Sequence, residues 1–381
     1  NRIVAVGAAD EVEIPSGAEI VDVTGRTIIP GLIDAHAHGP QATDEIIPEE
    51  NWSTLAHLAF GVTTIFDPSS SASHIFTAGE YQRAGIQLQP RTYSTGEVVY
   101  GARAPGFYAR IEDYSDAEEH VFRLASQGAH GIKNYNQPRR EQRQQVVAAS
   151  REAGVIVVAE GGSNYHMDMS LVADGNTSVE HNLPVEMIYE DVLQMYSQTQ
   201  VAYNPTLVVT YGGLAGDPYY RAHTNVWEHP ILSRHAPPDY LANNIRREIA
   251  PEHDYVDDDS AVTALMLAHR GVLMAIGAHG QEEGLAAHWE LWSLARGGAT
   301  PIEALRAATI SPARHLGFDH DLGSIEVGKL ADMVILDGDI LSDITTSDQV
   351  DMIMLNGRLY DAQTLNETVT GDRERGAYFW E

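Results

Sequence analysis

Two histidines separated by one residue, His36 and His38, end the short apolar segment GLIDAHAHG. In a β-strand, side chains at positions i and i+2 point to the same side, so both imidazoles are expected to face one space. Imidazole nitrogens are common ligands for zinc and related divalent ions. With 17 histidines in the chain, about one pair with this spacing is expected by chance. The place of this pair between a predicted strand and Gly39 nevertheless favours a metal site.

Lys133 is a second candidate, in the segment GIKNYN, which is predicted to be a strand that runs into a turn. Only Lys133 and Lys329 are lysines among 24 basic residues, so a retained lysine indicates chemistry that arginine cannot supply. An unprotonated lysine amine can add carbon dioxide to form a carbamate, an anionic group that can bridge two metal ions. A lysine paired with a nearby carboxylate is the alternative.

His181 ends a third short predicted strand, in the segment SVEHN. It is a candidate for a further imidazole ligand, and the alternative is a core histidine whose hydrogen bonds are satisfied. The chain has no cysteine, which excludes disulfides and thiolate ligands. Any metal ion must therefore bind to His, Asp, Glu or a modified Lys.

The composition and charge of the chain limit its class and its partners. Its 381 residues are 43% hydrophobic and 8% aromatic, enough for a large core, and no apolar run approaches the length of a membrane span. The formal net charge of −30 argues against nucleic acid or an anionic membrane as a partner. Adaptation to high salt and drift in a GC-rich genome explain this acidic, lysine-poor composition equally well. Because the chain starts at Asn1 in mid-pattern, we expect a processed form or part of a longer protein.

The two ends of the chain have the same character. Residues 1–30 alternate apolar and polar residues around Gly and Pro, which predicts several short antiparallel strands. The segments GSIEVGKLADMVILDGD and VDMIMLNGRLYDA near the other end predict strands as well. We therefore predict a small β-sandwich domain formed from residues 1–30 plus 321–381.

The middle of the chain, residues 31–320, is predicted to be an α/β domain. Eight short apolar runs each end in polar residues, and helix-like segments such as SDAEEHVFRLASQG separate most of them. This alternation predicts a parallel sheet, and eight strands predict closure as a (β/α)8 TIM-like barrel, with the active site at the C-terminal strand ends. The polar residues at those ends include His36, His38, Asp67, Lys133, Glu160, His181, Asn204 and His279. Residues 207–260 interrupt the alternation of predicted strands and helices. Such an insertion either covers the substrate or is an additional surface segment without a role in the site.

The chain resembles the amidohydrolase superfamily, in particular its imidazolonepropionase-like branch. IIPGLIDAHAHG resembles the first-strand metal motif of that family, GIKNYN its carbamylated lysine on the fourth strand, and SVEHN its sixth-strand histidine. GGATPIEALRAATISPARHLG and DLGSIEVGKLADMVILDGD resemble its last barrel helix and the return into its sandwich domain. AEGG, GAHGQ and ERGAYFWE are similar to amidohydrolase modules that follow a TolB-like propeller. The resemblance implies hydrolysis of amide or other C–N bonds by metal-bound hydroxide, with one or two zinc ions, or manganese, and carbon dioxide held as a carbamate on Lys133.

Two positions depart from the family pattern. Glu160 stands where the fifth strand ends in a histidine ligand, and His279 stands where the eighth ends in the aspartate that binds metal and accepts a proton from water. We hypothesise that a carboxylate and an imidazole have exchanged strands, and that Glu160 or His279 is the general base; His166 is an alternative fifth-strand ligand. The competing interpretation is that loss of the aspartate weakened or removed catalysis. The hypothetical ligand set is His36, His38, Lys133, Glu160, His181 and His279.

These features predict a metal-dependent hydrolase of amide, cyclic amide or dipeptide-like bonds. The alternatives are a non-hydrolytic metal-binding barrel that lost its general base, and a deaminase, isomerase or decarboxylase on the same scaffold. We expect a small-molecule or short-peptide substrate, no nucleic acid, no membrane insertion and a homo-oligomer. The candidates for substrate contact, which follow or end their strands, are Tyr135, Asn136, Asn204 and Gln281.

Overall fold

A computed structural model describes residues 1–101, 109–243, 245, 247 and 249–381 of the chain. The strands in these residues are β1 (Thr27–Pro30), β2 (Leu32–Asp34), β3 (Val62–Asp67), β4 (Arg91–Ser94), β5 (Val99–Tyr100), β6 (Gly131–Tyr135), β7 (Ile156–Glu160), β8 (Ser178–Glu180), β9 (Ala202–Asn204), β10 (Met333–Leu336), β11 (Val350–Leu355), β12 (Arg358–Asp361) and β13 (Glu367–Thr368). The α-helices are α1 (Trp52–Ala59), α2 (Ala72–Arg83), α3 (Tyr114–Gln127), α4 (Arg140–Ala153), α5 (Tyr165–Asp174), α6 (Glu190–Thr199), α7 (Gly216–His223), α8 (Pro230–His235), α9 (Pro238–Asn243), α10 (Asp257–Ala268), α11 (Leu285–Arg296), α12 (Pro301–Ala307) and α13 (Ile310–His315). Single turns of 3₁₀ helix cover Leu207–Val209, Val226–Glu228 and Glu252–Asp254, and a longer one covers Ile344–Asp348.

Parallel strands alternate with helices along the middle of the chain, which confirms the predicted α/β pattern. β2, β3 and β4 form one parallel sheet, and β5 to β9 form a second sheet in chain order. Every residue of β3 is buried, as expected for a strand whose two faces are both covered. Helix α3 buries Ala117, Val121 and Leu124 on one face, where they pack with Val99 and Ile132 of the second sheet.

Backbone hydrogen bonds connect the two parallel sheets at both of their edges. The His130 amide donates to the Ser94 carbonyl at 2.9 Å, next to β4 and β6. On the other side, residues 273–276 run between β9 and β2, where the Ala275 amide donates to the Tyr203 carbonyl at 3.0 Å and the Ala35 amide to the Ile276 carbonyl at 3.1 Å.

The segment GVLMAIGAHGQ, predicted to be the eighth strand, differs from the prediction in form. Among the described residues it makes one isolated parallel bridge, between Met274 and Tyr203, and no continuous ladder. The Ile276 amide donates to the Ala307 carbonyl at the end of α12, at 2.9 Å, so this group is not available to a neighbouring strand. The segment is extended and held on both sides without being a regular strand.

The two ends of the chain meet in one antiparallel sheet of the order β1-β10-β11-β12-β13. The prediction of several strands in residues 1–30 is wrong in number, because the described residues there form β1 and an isolated bridge between Arg2 and Leu330. The apolar side chains expected to build the other strands are exposed, for example Val4 at 79% and Ile20 at 74%. Alternation of apolar and polar residues does not by itself specify a strand, because one face of the strand must also be buried against the rest of the protein. The β-sandwich and its boundaries, 1–30 plus 321–381, stay predictions.

The insertion at residues 207–260 carries α7, α8 and α9; residues 244, 246 and 248 within it lie outside the described part. It is joined to the loop after residues 273–279 by a buried charge. Arg221 on α7 lies 2.7 Å from Oε1 of Glu282, and the Tyr240 hydroxyl on α9 donates to Oε2 of Glu282 at 3.2 Å. In the described part of the chain, no helix has both the length and the apolar character needed to cross a bilayer.

Candidate metal centre

Four histidines from three parts of the chain meet at the C-terminal ends of the parallel strands. His36 and His38 follow β2, His181 follows β8, and His279 follows the extended segment 273–276. Ligand nitrogens of His36, His181 and His279 all lie within 4.8 Å of one another. The ring of His38 lies 5.0 Å from that of His36 and 4.8 Å from that of His279, centroid to centroid. We call His36, His38, His181 and His279 the imidazole cluster.

Oxygen atoms outside the cluster hold the Nδ1 atoms of three of these rings. Nδ1 of His36 lies 2.8 Å from Oε2 of Glu180, and Nδ1 of His38 lies 2.9 Å from Oδ1 of Asp67. Nδ1 of His181 lies 2.7 Å from Oγ1 of Thr206. Partners of this kind fix the orientation and tautomer of metal-binding histidines and leave Nε2 available.

His279 differs from the other three because its Nδ1 is buried and has no hydrogen-bond partner in the described part of the chain. A buried polar atom left without a partner costs roughly 1–3 kcal/mol. Burial, together with the nearby His38, His181 and Lys133, lowers the pKa of His279 to about 3, so the ring is neutral. A neutral imidazole is the form that binds metal, and a bound metal ion would be the partner that this buried nitrogen lacks. The cluster therefore fits a divalent metal ion.

Lys133 and Glu160 form an ion pair beside the cluster. Nζ of Lys133 lies 2.7 Å from Oε2 of Glu160, and Oε1 of Glu160 lies 3.3 Å from Nε2 of His181. Burial opposes ionisation of Glu160, but Lys133 and His181 hold its pKa well below the usual range. The carboxylate pairing that the sequence left open for Lys133 is the arrangement found. A carbamate on Lys133 would be a second anion next to Glu160, and a divalent cation would offset that repulsion.

Close backbone packing and left-handed residues bring the histidines together. A Cβ atom on Gly277 would lie 2.5 Å from Cβ of His36, so only glycine allows this approach. His181 and His279 have φ angles of 70° and 57°, and Thr206 has a φ of 46°. Such angles are uncommon for residues other than glycine and cluster at functional sites, where the surrounding structure holds them.

Several site residues were not singled out from the sequence. Asp34 is fully buried and accepts from the amides of His36 and Ala278 at 3.1 and 3.2 Å, so it ties together two segments that carry histidines. Burial raises the pKa of Asp34 to about 6 and that of Glu180 to about 7. Asp34 and Glu180 stand at the ends of apolar runs, directly before the histidine motifs, and that position was the available signal.

The residues proposed to contact substrate occupy different environments. Tyr135 is half-buried beside the ion pair, with its ring centroid 5.9 Å from Nζ of Lys133, and burial and Glu160 raise its pKa. Asn136 is exposed and Gln281 is partly exposed. Asn204 is buried, and its Oδ1 has no hydrogen-bond partner among the described residues.

Two further residues differ in whether they reach the centre. Tyr211, from the insertion at 207–260, lies 5.5 Å from the ring of His181, and the sequence did not identify it. His166, the alternative ligand, is exposed on α5 and is not among the histidines whose nitrogens converge.

A family model described as the amidohydrolase family matches residues 107–360 of this chain. Among curated proteins, an imidazolonepropionase of Symbiobacterium thermophilum is 59% identical over 39 residues, which are 10% of this chain and 9% of that protein. Adenine deaminase 2 of Shouchella clausii is 36% identical over 77 residues, 20% of this chain and 13% of that protein. The chain thus matches only a small part of the length of these curated relatives.

Solved structures resemble the chain over nearly its whole length. A molinate hydrolase has a TM-score of 0.72 at 18% identity, covering 99% of this chain and 93% of that one. A Xaa-Pro dipeptidase has a TM-score of 0.68 at 19% identity, covering 92% and 90%. A prolidase described as putative, from Bifidobacterium longum, has a TM-score of 0.69 at 23% identity, covering 93% and 86%. At such identities the likeness establishes a shared fold.

Proposed function

We propose that this chain is a metal-dependent hydrolase of an amide or related C–N bond. It belongs to the amidohydrolase family, because the model of that family matches more than half of its length. The observation that carries the proposal is the convergence of the imidazole cluster, with three rings held from outside and one buried nitrogen unpaired. Zinc or manganese, as one ion or two, suits nitrogen and oxygen ligands of this kind. The proposed ligands are His36, His38, Glu160, His181, His279 and Lys133, the last as its carbamate, because a lysine ammonium has no lone pair for a metal ion.

When bound, a divalent ion activates water at neutral pH and polarises a carbonyl oxygen. The protein's own groups would have to take a proton from the attacking water and give one to the leaving amine. His279 is the proposed proton carrier if the metal ion binds to the other members of the proposed ligand set, because its ring is neutral and its Nδ1 has no partner in the described residues. Glu160 is the weaker candidate, since both of its oxygens already contact Lys133 and His181.

The scaffold that we propose is a closed (β/α)8 barrel. Its members in order are β2, β3, β4, β6, β7, β8, β9 and the extended residues 273–276. The bond from His130 to Ser94 and the bond from Ala35 to Ile276 support closure at the two junctions between the sheets. Closure explains why residues far apart in the chain meet at one end of the strands.

The substrate side of the centre is proposed to include Tyr135, Asn136, Asn204 and Gln281, with the insertion at 207–260 as a cover. The position of Tyr211 beside His181 and the contacts of Arg221 and Tyr240 with Glu282 support this role for the insertion. We expect a small molecule or short peptide as substrate. The homo-oligomer and the TolB-like part of the resemblance stay predictions.

Product analysis separates hydrolysis from its alternatives. Protein loaded with zinc or manganese is incubated with N-acyl amino acids, dipeptides, cyclic amides and adenine. The masses of the products are then measured by mass spectrometry. We expect addition of one water with a new carboxylate and a new amine. Release of ammonia from adenine would favour the deaminase alternative, for which the short matches to deaminases are the supporting observation. Metal-loaded protein that converts none of these compounds would favour the non-hydrolytic barrel.

A further inference from the structure

A cavity of about 500 Å³ lies between the α2–β4 connection and the terminal antiparallel sheet. None of its lining residues belongs to the metal centre. Four arginines line it: Arg83, Arg91, Arg358 and Arg373. Its other polar lining residues, Tyr360 included, are uncharged, and no Asp or Glu is among the described residues that line it. We call this space the arginine cavity.

The concentration of arginine here contrasts with the rest of the chain. The protein has a net charge of −30 with 24 basic residues, and four of these face one cavity. At physiological salt, charges more than roughly 8 Å away are largely screened. Three of the four arginines have a carboxylate partner within 2.7 Å, so the positive charge that the cavity offers to an anion is mainly that of Arg373. The cavity therefore offers an anion one arginine that has no carboxylate partner among the described residues.

Three of the four arginines have a carboxylate partner, and one is left for a ligand. Nη2 of Arg83 donates to Oε1 of Glu80 at 2.7 Å. Nε and Nη2 of Arg91 donate to the two carboxylate oxygens of Asp332 at 2.7 and 3.2 Å. Arg358 makes a similar pair with Glu367 at 3.0 and 2.7 Å. Arg373 donates only to backbone carbonyls, at a long 3.4 Å each, and forms no ion pair with a carboxylate of the described residues. Its guanidinium fork remains available for a carboxylate.

Two buried glutamines supply acceptors at the same cavity. The Nε2 atoms of Gln87 and Gln89 donate to the carbonyls of Pro48 and Ala78 at 2.8 and 2.7 Å, which orients both amides. The Oε1 atoms of Gln87 and Gln89 are buried and lack hydrogen-bond partners in the described part of the chain. Exposed fractions of 5% and 0% place both side chains out of bulk water. Donors from a ligand would satisfy these oxygens.

We propose that the arginine cavity binds a small carboxylate that also carries N–H donors, of the class of acidic amino acids. The carboxylate meets the Arg373 guanidinium, and the N–H groups meet the free glutamine oxygens. The volume of about 500 Å³ is in the range of roughly 300–1,000 Å³ typical of small-molecule sites. This site is separate from the proposed hydrolytic centre and does not depend on its activity.

Isothermal titration calorimetry with L-glutamate, glutarate and inorganic phosphate tests the proposal. We expect saturable binding of L-glutamate, weaker binding of glutarate, which lacks the amine, and weaker binding of phosphate. Arg373→Gln should weaken L-glutamate binding at least 10-fold, or about 1.4 kcal/mol. Arg83→Gln, at the half-exposed end of α2, is a second cavity variant in case Arg373→Gln unfolds.

Arg123→Gln is the matched control, because it makes the same charge change on the exposed face of α3. The Arg123→Gln and His279→Ala proteins should bind L-glutamate as the wild type does, the latter because the metal centre is not involved. No binding of L-glutamate, binding equal in the Arg373→Gln and Arg123→Gln proteins, or phosphate binding as tight as L-glutamate would overturn the proposal. Loss of binding in the His279→Ala protein would also overturn it, by placing the ligand at the metal centre.

Discussion

The His279→Ala protein is expected to lose hydrolytic activity by about 10²–10⁴-fold in kcat/KM, the range for removal of an acid–base group. His279 lies within the group of three histidines whose ligand nitrogens converge, and it carries the buried nitrogen without a partner. Removing it takes away either a metal ligand or the proposed proton carrier, and both losses lower activity. Steady-state kinetics on the substrate found by product analysis measures the loss.

His166→Ala is the control for this substitution. It removes the same side chain from an exposed position on α5, next to Tyr165, and should leave kcat/KM within about twofold of the wild type. If His279→Ala kept full activity, or if His166→Ala were as damaging, the proton carrier would have to be sought elsewhere, first at Glu160.

The Lys133→Ala protein is expected to be destabilised by about 3–5 kcal/mol, because it leaves a buried carboxylate without its cation. The side chains of Lys133 and Glu160 are 1% and 9% exposed, so water cannot replace the lost partner. Removing both members of the pair should restore part of the stability. Urea unfolding of metal-free wild type, both single variants and the double variant measures this coupling in a double-mutant cycle.

The other lysine of the chain provides the comparison. Lys329 donates to the Leu322 carbonyl at 3.1 Å and to Oγ of Ser324 at 2.7 Å, and the carboxylate nearest to it, Glu326, is 65% exposed. Lys329→Ala therefore leaves no buried charge without a partner, and it should lower the free energy of unfolding by about 0.5–2 kcal/mol. Equal losses for Lys133→Ala and Lys329→Ala would show that the ion pair with Glu160 is not what fixes Lys133.

The sequence predicted the parts of the fold that depend on local periodicity. The helical spacing of Ala117, Val121 and Leu124 and the apolar runs that became β3, β6 and β7 follow from which faces are buried. The sequence-based prediction failed where the local pattern of apolar residues does not match the burial found in the structure. Val4 and Ile20 have the alternation of strand residues but stay exposed, and residues 273–276 are held by bonds to distant segments that no local pattern encodes.

The candidate centre was predictable to a similar extent. His36, His38, His181 and His279 were identified because they end strand-like runs, and the parallel strands bring them together. The groups that hold them were not, since Glu180 is 144 positions away from His36 in the chain and Thr206 is 25 away from His181. Such contacts depend on tertiary structure, and only their residue types are visible in a single sequence.

Metal analysis of purified protein tests the central claim, that the imidazole cluster binds a divalent ion. The wild type, His181→Ala and His166→Ala proteins are loaded with zinc or manganese, desalted and analysed by elemental mass spectrometry. We predict at least about one equivalent in the wild type and in His166→Ala, and a loss of most of it in His181→Ala, because His181 is held for ligation by Thr206 and faces Glu160. Wild-type protein that retains no metal after loading, or His181→Ala that retains all of it, would contradict the claim.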